Sequence, residues 1–583
     1  MSARRWTRRC FGDESPKPNS GDKSPHSKVS AMTAPLSITI DGRPVEVPPG
    51  ESVLGAARRL GIDIPTLCYL EKCGPLNTCQ VCLVKINGRL VPSCGTKATP
   101  GMVIESETPE VHEARRTALE LLFSDHVGDC LSPCQRLCPL MLNIPVMLRH
   151  LEAGRLSEAN ATVRGALPLA GVLGRLCHHP CEQGCRRGHW DEPAAIRDME
   201  KFVTDWEMSE KTESGKQKAE NNQSLFTPTA TGKSVVILGA GPTGLAAAFY
   251  LVREGHAVTV VDRRAAAGGT LREAPEAQLP GAVLDAEIAV LARLGIEFKQ
   301  GTLGDPLTLD GLARGFDAIL VAVGELTADA AATLGLPLAG HALKVDPNTC
   351  LTPLERVFAA GSCVRPQKQL VKAMAEGRAV AECINRFLRG QPARRPEKPF
   401  SSIMGRLDPA EVRAFLAGAS SAGRVSPCEA CRSHSAREAA TEGSRCLHCD
   451  CHSSGNCVLQ HYAQVYGADA GRFRGERRKF EQQRQPGGIL FEPGKCIVCG
   501  ICVKLCEMAA EPLGLTFVGR GFDVRVAAAL NAGIEAGLQK VAEECVKQCP
   551  TGALEFERRS PGCGSAPVNG RGHHAPPNGA IAG

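Results

Sequence analysis

Six of this chain's 28 cysteines stand in two tight triplets, Cys130, Cys134 and Cys138, then Cys177, Cys181 and Cys185. This grouping inside the stretch from His126 to Glu200 limits the fold more than any other feature. It is too dense for chance. The chain, at 583 residues, is also far longer than the small secreted domains that disulfides staple together. In a reducing cytosol, closely spaced cysteines are metal sites or redox centres before they are disulfides. Soft thiolates gathered in this way hold iron and sulfide. A triplet needs a fourth ligand to complete a four-iron cluster, so each must borrow one from elsewhere in the chain.

The length predicts roughly three to five domains. Aromatic residues make up 4% of the chain, too few to suggest the stacking surfaces that single-stranded nucleic acid needs. The formal charge of +6 comes from nearly matched totals, 68 Lys and Arg against 62 Asp and Glu, so no nucleic-acid partner is expected. No run of eighteen apolar residues occurs, which predicts no membrane span. Arg4-Arg5 and Arg8-Arg9 have no apolar stretch behind them and are not read as a secretory or twin-arginine signal. The expected location is cytoplasmic. Residues 1–34, rich in Ser, Pro, Lys and Arg, read as a disordered extension, with Met32 an alternative start.

Residues 35–105 read as a small sheet unit. Apolar and polar residues alternate about Asp41-Gly42 and again about Asn87-Gly88, both hairpin signals, and Ser52 to Leu60 has helical spacing. Cys68, Cys79, Cys82 and Cys94 fall on the loops between, four thiolates suited to a two-iron cluster; a zinc site is the alternative. Their gaps of ten, two and eleven residues resemble the [2Fe-2S] domain that opens the large iron–sulfur subunit of respiratory NADH dehydrogenase, and the same domain of related formate dehydrogenases and hydrogenases. Cys73 does not fit the spacing and reads as a free thiol.

In residues 106–210, Val111 to Phe123 reads as a helix leading into His126-x3-Cys130, which is similar to the His-x3-Cys start of a cluster-binding run in that same respiratory subunit. From Cys130 the likeness changes. Cys134-Gln-Arg-Leu-Cys138-Pro, Asn143-Ile-Pro, Gly174-Arg-Leu-Cys177, Cys181-Glu-Gln-Gly-Cys185 and Glu192-Pro-Ala-Ala-Ile-Arg-Asp-Met-Glu200 resemble the helical double-cluster domain of the glutamate synthase small subunit and of dihydropyrimidine dehydrogenase. The resemblance implies two interleaved [4Fe-4S] clusters. One would take Cys130, Cys134 and Cys185, with His126 replacing an absent family cysteine; the other would take Cys138, Cys177, Cys181 and Glu200.

Residues 211–232 read as a polar linker. In 233–391, Ser234-Val-Val-Ile-Leu leads into Gly239-x-Gly241-x-x-Gly244, and a second strand ends at Asp262. A glycine turn opening a helix lets backbone N–H groups approach a pyrophosphate, and the acid can bind a ribose hydroxyl. Gly268-Gly269-Thr-Leu-Arg272, a strand ending at Gly324, and Phe-Ala-Ala-Gly361 resemble the flavin half of the same reductases. They imply a Rossmann-like FAD domain with Gly239, Gly241, Gly244, Asp262, Gly268, Gly269, Arg272, Gly324 and Gly361 around the cofactor. Two departures stand out: Ser362 occupies a family aspartate position, and only about thirty residues follow Gly324 where the family inserts its NADPH domain, too few for a nucleotide domain.

Residues 392–486 read as a linker carrying a Cys-rich metal site. Cys428-x2-Cys431-x14-Cys446-x2-Cys449 has zinc-ribbon spacing, while Cys446, Cys449, Cys451 and Cys457 make an equally compact group, so zinc and a further cluster both stand. In residues 487–557, Cys496-x2-Cys499-x2-Cys502-x3-Cys506 is the bacterial ferredoxin run, and Cys549 supplies the fourth ligand of one [4Fe-4S] cluster. A second cluster would need cysteines where Gln539 and Ala542 stand, which leaves Cys506 and Cys545 without one. Residues 558–583 read as a disordered tail.

The expected protein is multidomain, α+β and α/β: a β-grasp-like [2Fe-2S] domain, a helical domain, a Rossmann-like domain and a ferredoxin-like domain. It would be an oxidoreductase subunit that transfers electrons, with no residue assigned to catalysis. Its expected cofactors are FAD, one [2Fe-2S] and three [4Fe-4S] clusters, with the ferredoxin-like cluster terminal beyond the flavin. The resemblance implies a redox partner such as an NADH-oxidising flavin subunit, a formate dehydrogenase, a hydrogenase or a ferredoxin. The rivals are a self-contained FAD-dependent reductase of a small acceptor and a cluster-bearing scaffold with an empty flavin fold.

Overall fold

A computed structural model describes residues 35–213, 231–302, 308–326, 335–340, 342–428, 433–485 and 488–557. The extension 1–34, most of the linker 211–232, the tail 558–583 and Cys431 lie outside them.

In the N-terminal unit the two predicted hairpins form. Asp41, Gly42, Asn87 and Gly88 all have positive φ, as two-residue turns that match strand twist require. They join Leu36–Ile40 to Arg43–Val47 and Leu83–Ile86 to Arg89–Pro92. Val103–Glu105 lies between the hairpins, parallel to the first and antiparallel to the second, and completes a five-stranded sheet. The helix Val53–Arg59, capped by the Ser52 hydroxyl accepting from the Gly55 N–H at 3.1 Å, buries Val53, Leu54, Ala56 and Ala57 in the core of this unit.

The helix Pro109–Phe123 leads into a helical unit built on Ile144–Glu152, Leu156–Ala166, Ala170–Leu176 and Ile196–Glu213. Its cysteine triplets flank two short helices, Pro133–Leu137 and Pro180–Gln183, each begun by a proline that needs no N–H partner there. Beside it stands a parallel five-stranded sheet, in the order Glu297–Gln300, Ala257–Asp262, Ser234–Leu238, Ala318–Val321 and Val357–Ala359. The central strands are continuous apolar runs because both faces are covered. Arg164 fastens the helical unit to this one: its guanidinium donates two 2.7 Å bonds to Glu287 and one of 2.9 Å to Glu207, all buried. Tyr250 and Arg253 add bonds to the carbonyls of Ala166 and Gly165.

Residues 392–485 differ from the linker expected of their composition. They contain the helices Pro409–Leu416, Ala436–Ser444 and Val458–Val465, the first two with full capping boxes, Asp408 with Glu411 and Ser435 with Glu438. The composition is loop-like, but the capping residues start helices whose apolar faces find partners elsewhere in the chain. Gly443 lies against the helix Ile144–Glu152 so closely that a Cβ there would stand 2.7 Å from the Leu148 carbonyl oxygen. Arg445 is fully buried, bonded to Glu442, Asp191 and the Glu192 carbonyl.

The C-terminal unit pairs Ile489–Phe491 antiparallel with Leu554–Phe556 and carries the helices Ile501–Met508 and Ala542–Gln548. The expectation placed it beyond the flavin. It sits instead against the N-terminal unit, where the Thr78 hydroxyl donates to the Cys499 carbonyl at 3.2 Å and Leu67, Cys68 and Cys79 share a core with Ile501 and Leu505. The physical reason is that apolar core, which closes only when the first and last units meet.

Candidate iron–sulfur and nucleotide sites

Every described cysteine is free of a disulfide, and most are buried. Cys68, Cys79, Cys82 and Cys94 come together between the two hairpins. The Sγ atoms of Cys82 and Cys94 are 3.3 Å apart, and Cys68 interacts with the other three. Contact with Cys79 holds the Cys68 thiol below its ordinary value, and contact with Cys94 does the same for Cys82. Four thiols drawn together in this way suit a cluster that takes four deprotonated sulfurs. Cys73 stands apart, its Sγ directed at Met508 Sδ, 3.8 Å away.

The second group is Cys138, Cys177, Cys181 and Glu200, the set the resemblance implied. Burial pushes the Cys138 and Cys177 thiols up to about 11, with Glu200 acting on both. Burial, then the nearby Glu182, raises the Glu200 carboxyl to about 8. This group faces the parallel-sheet unit: Arg378 of the helix Leu370–Leu388 donates to the carbonyl of Leu140, two residues past Cys138, at 2.9 Å.

The other set implied by the resemblance, Cys130, Cys134 and Cys185 with His126, does not assemble. Cys134 and Cys185 line one cavity with Cys446 and Cys449, and the four act on one another electrostatically. Cys130 and His126 line a different cavity with Cys451 and Cys457. The physical cause is the short helix Pro133–Leu137, which carries Cys134 on its first turn and leaves Cys130 ahead of its N-cap Ser132, while the segment after Ala436–Ser444 delivers one cysteine pair to each side. Of the zinc-ribbon spacing, Cys446 and Cys449 line a cavity with Cys134 and Cys185, Cys428 is exposed, and Cys431 lies outside the described residues. Among the described residues, no group of three or more His, Cys, Asp or Glu closes around a single metal ion. The local spacing marked each of these cysteines as a ligand but carried no signal for partners in the distant first third of the chain.

Around His126, Ser402 donates its backbone N–H to Cys130 Sγ at 3.4 Å, and the Lys495 ammonium lies 3.7 Å from Cys451 Sγ. Lys495 is buried and paired with Glu492. Its role near the thiols was not legible, because a lysine in a ferredoxin run usually reads as surface. Cys496, Cys499, Cys502 and Cys549 line a further cavity, and the Val498 N–H donates to Cys496 Sγ at 3.4 Å. Cys506 and Cys545, for which the spacing predicted no cluster, share a hydrogen bond that holds the Cys506 thiol below its ordinary value.

In the parallel-sheet unit, Gly239 has φ of 110°, and a Cβ on Gly244 would lie 2.0 Å from the Gly239 carbonyl oxygen, so only glycine closes this turn. Gly241 opens on free space. Asp262 accepts the N–H groups of Ala240 and Arg264 at 2.7 and 2.8 Å. Each carboxylate oxygen keeps lone-pair capacity for a ribose hydroxyl. Gly269 packs on Gly241 and Gly361 on Thr243, while Gly324 stands in open space with φ of 84°. These features form a cradle that fits a dinucleotide. Arg272 bonds to Asp285 and to the Ala267 carbonyl.

The segments match families of the class this geometry suggests, oxidoreductases built from iron–sulfur and flavin-type redox domains. Residues 33–109 match a 2Fe-2S iron-sulfur cluster binding domain. Residues 111–212 match dihydropyrimidine dehydrogenase domain II, 4Fe-4S cluster, and residues 194–377 a pyridine nucleotide-disulphide oxidoreductase domain. Among curated relatives, the chain is 38% identical over 207 residues to the NADP(+)-dependent formate dehydrogenase subunit beta of Moorella thermoacetica, covering 33% of this chain and 29% of that protein. It is 32% identical over 246 residues to the NAD-dependent dihydropyrimidine dehydrogenase subunit PreT of Escherichia coli (strain K12), covering 41% and 55%. It is 50% identical over 103 residues to the NADP-reducing hydrogenase subunit HndD of Solidesulfovibrio fructosivorans, covering 16% and 18%. The chain thus spans about half or less of the length of these relatives. No described helix is long and apolar enough to cross a membrane.

Proposed function

We propose that this protein is the electron-transfer subunit of an oxidoreductase complex, passing electrons between FAD and a series of iron–sulfur clusters. Its units would be a β-grasp-like [2Fe-2S] domain, a helical cluster domain, a Rossmann-like FAD domain and a ferredoxin-like domain. When bound, the clusters supply one-electron centres and the flavin converts between single electrons and pairs. The observation that carries this reading is the succession of ligand sets. The Cys68 set meets the Cys496 set through Thr78 and Cys499. Cys457 Sγ lies 3.7 Å from the carbonyl of Pro550, the residue after Cys549. Cys449 and Cys451 are separated by one residue, Cys134 and Cys138 by three, and Arg378 ties the Cys138 loop to the flavin unit.

The residues do three things along this line. Burial holds the carboxyl and the thiols of the Cys138 set in their neutral forms, so metal would bind there with release of protons. Backbone N–H groups of Val498, Gln460, His448 and Ser402 point at cluster-site sulfurs, at 3.4 Å in each case, and such bonds raise potentials. The chain has no room for an inserted nicotinamide domain after Gly324, so the electrons come from or go to a partner. By likeness to its relatives, that partner is an NADH-oxidising flavin subunit, a formate dehydrogenase, a hydrogenase or a ferredoxin.

The test is anaerobic purification of the full chain from its native cell, with flavin and iron quantified and co-purifying subunits identified. About one flavin per chain, bleached together with the clusters by a low-potential donor, is the expected result. A chain without flavin absorbance or reducible iron would overturn the proposal.

A further inference from the structure

We infer that the β-hairpin of residues 515–528 is the docking surface for an acidic one-electron carrier protein, which exchanges electrons with the Cys496 set beneath it. This rests on the electron-transfer reading and deepens it by naming a port and the charge of its partner.

The hairpin pairs Leu515–Val518 antiparallel with Arg525–Ala528 as a two-stranded sheet of its own. Part of it is committed to the Cys496 set. Leu515, Val526 and Ala528 are buried, Val526 lines the cavity that holds those four cysteines, and a Cβ on Gly500 would stand 3.3 Å from the Phe517 ring. The tip points the other way. Phe522 is 97% exposed there, and the loop that carries it is tightly closed: a Cβ on Gly519 would stand 2.4 Å from the Asp523 carbonyl oxygen. The Phe522 carbonyl accepts from Arg478, itself paired with Asp125 at 2.9 Å. Just past the opposite end of the hairpin, Leu530 is 91% exposed, with φ of 59° there and 57° at Asn531. Left-handed backbone at a leucine and its neighbour is strain of the kind that collects at binding sites. A phenyl ring held almost wholly in water gains its burial energy only from a partner.

Charge decides what that partner is. Lys479, next to Arg478, and Arg520 and Arg525 of the hairpin are exposed, and among the described residues no carboxylate is paired with them; the one acid of the hairpin is Asp523. Free cations beside an aromatic anchor attract a negative surface from a distance and give it a ring to bury at contact. A second copy of this chain, docked by the same surface, would set these cations against themselves. The chain's own ends are no better matched. Residues 1–34 hold seven Lys and Arg against three Asp and Glu, and residues 558–583 hold three Arg and no acid. An acidic protein is left, and the position over the Cys496 set makes it a redox partner. On docking, one electron passes between the carrier's centre and the Cys496 set. One side is oxidised as the other is reduced, and no bond is made or broken.

The experiment uses the full chain, purified anaerobically, with a small acidic ferredoxin as the probe, mixed reduced against the oxidised chain in stopped flow. The rate of cluster reduction is expected to fall roughly tenfold between about 50 and about 300 mM salt. Phe522→Ala should lower the low-salt rate roughly tenfold. Lys479→Glu with Arg520→Glu should lower it as well and flatten the salt dependence. Iron content and the extent of reduction by dithionite should match the wild type in both variants. A rate indifferent to salt and to both variants would overturn the inference. So would a faster rate in Phe522→Ala, the sign of another segment of this chain lying over the tip, or a wild-type dimer that Phe522→Ala disperses. Missing flavin or irreducible clusters would count against the parent reading, whereas the salt and variant dependence bears on the docking surface alone.

Discussion

Glu200 is the one carboxylate among the proposed cluster ligands, and its burial sets its chemistry. With its carboxyl raised to about 8, it is protonated at pH 7 and largely ionised at pH 9. Iron uptake by the apoprotein is expected to release about one more proton per chain at pH 7 than at pH 9. A pH-stat titration measures this, and Glu200→Gln should erase the difference. Lys495 permits a second prediction. Lys495→Met leaves Glu492 buried and unpaired and should cost about 3–5 kcal/mol in denaturant unfolding. Lys495→Met with Glu492→Gln, which removes both charges of the pair, should recover most of that loss. The cysteines that line these cavities were legible residue by residue as candidate ligands, since thiols at short regular gaps have few other uses. Which thiols share a cluster was not, because Cys134 meets Cys446 only after most of the chain has folded back.

Among elements, the two hairpins and the strand–turn–helix at Gly239 were legible because their chemistry is local: positive φ at Asp41-Gly42 and Asn87-Gly88, and a turn with no space for a Cβ. The helices of 392–485 were not. Their capping boxes stand in a composition typical of loops, and what stabilises them is packing on distant helices. Gly443 is the sharpest such contact. Gly443→Val should push the helix Ala436–Ser444 off Ile144–Glu152, destabilise the fold by about 1–3 kcal/mol and lower iron content, measured together by unfolding and iron assay. The junction between the helical and flavin units depends on Arg164. Arg164→Met leaves Glu287 as a buried, unpaired carboxylate and should cost about 3–5 kcal/mol. Tryptic cleavage near the junction is expected to accelerate accordingly.

For the whole molecule, the order of the ligand sets in space is not their order in sequence. The last unit of the chain stands second in line, beside the first, and the flavin unit in the middle of the sequence stands at the far end. Composition and spacing could not show this, because it is decided by the core that Leu67 and Cys68 share with Ile501 and Leu505. A break at the centre of the line should therefore divide the protein into two redox halves. Cys446→Ser is expected to leave flavin and the two-iron cluster at wild-type content but slow electron exchange between them by an order of magnitude or more. Stopped-flow spectroscopy at the two absorption bands reads that rate.

The threading of residues 392–485 through the helical unit also bears on how the protein is made. A ribosome delivers Cys130, Cys134 and Cys185 long before Cys446, Cys449, Cys451 and Cys457, so the two cavities these cysteines line exist only in part until residue 457 has been made. Those early thiols must be kept reduced and unmetallated through most of translation. Any metal loading of these interior sites is thereby placed after residue 457 has been made, and a cell short of sulfide or rich in oxygen would accumulate protein whose centre is dark.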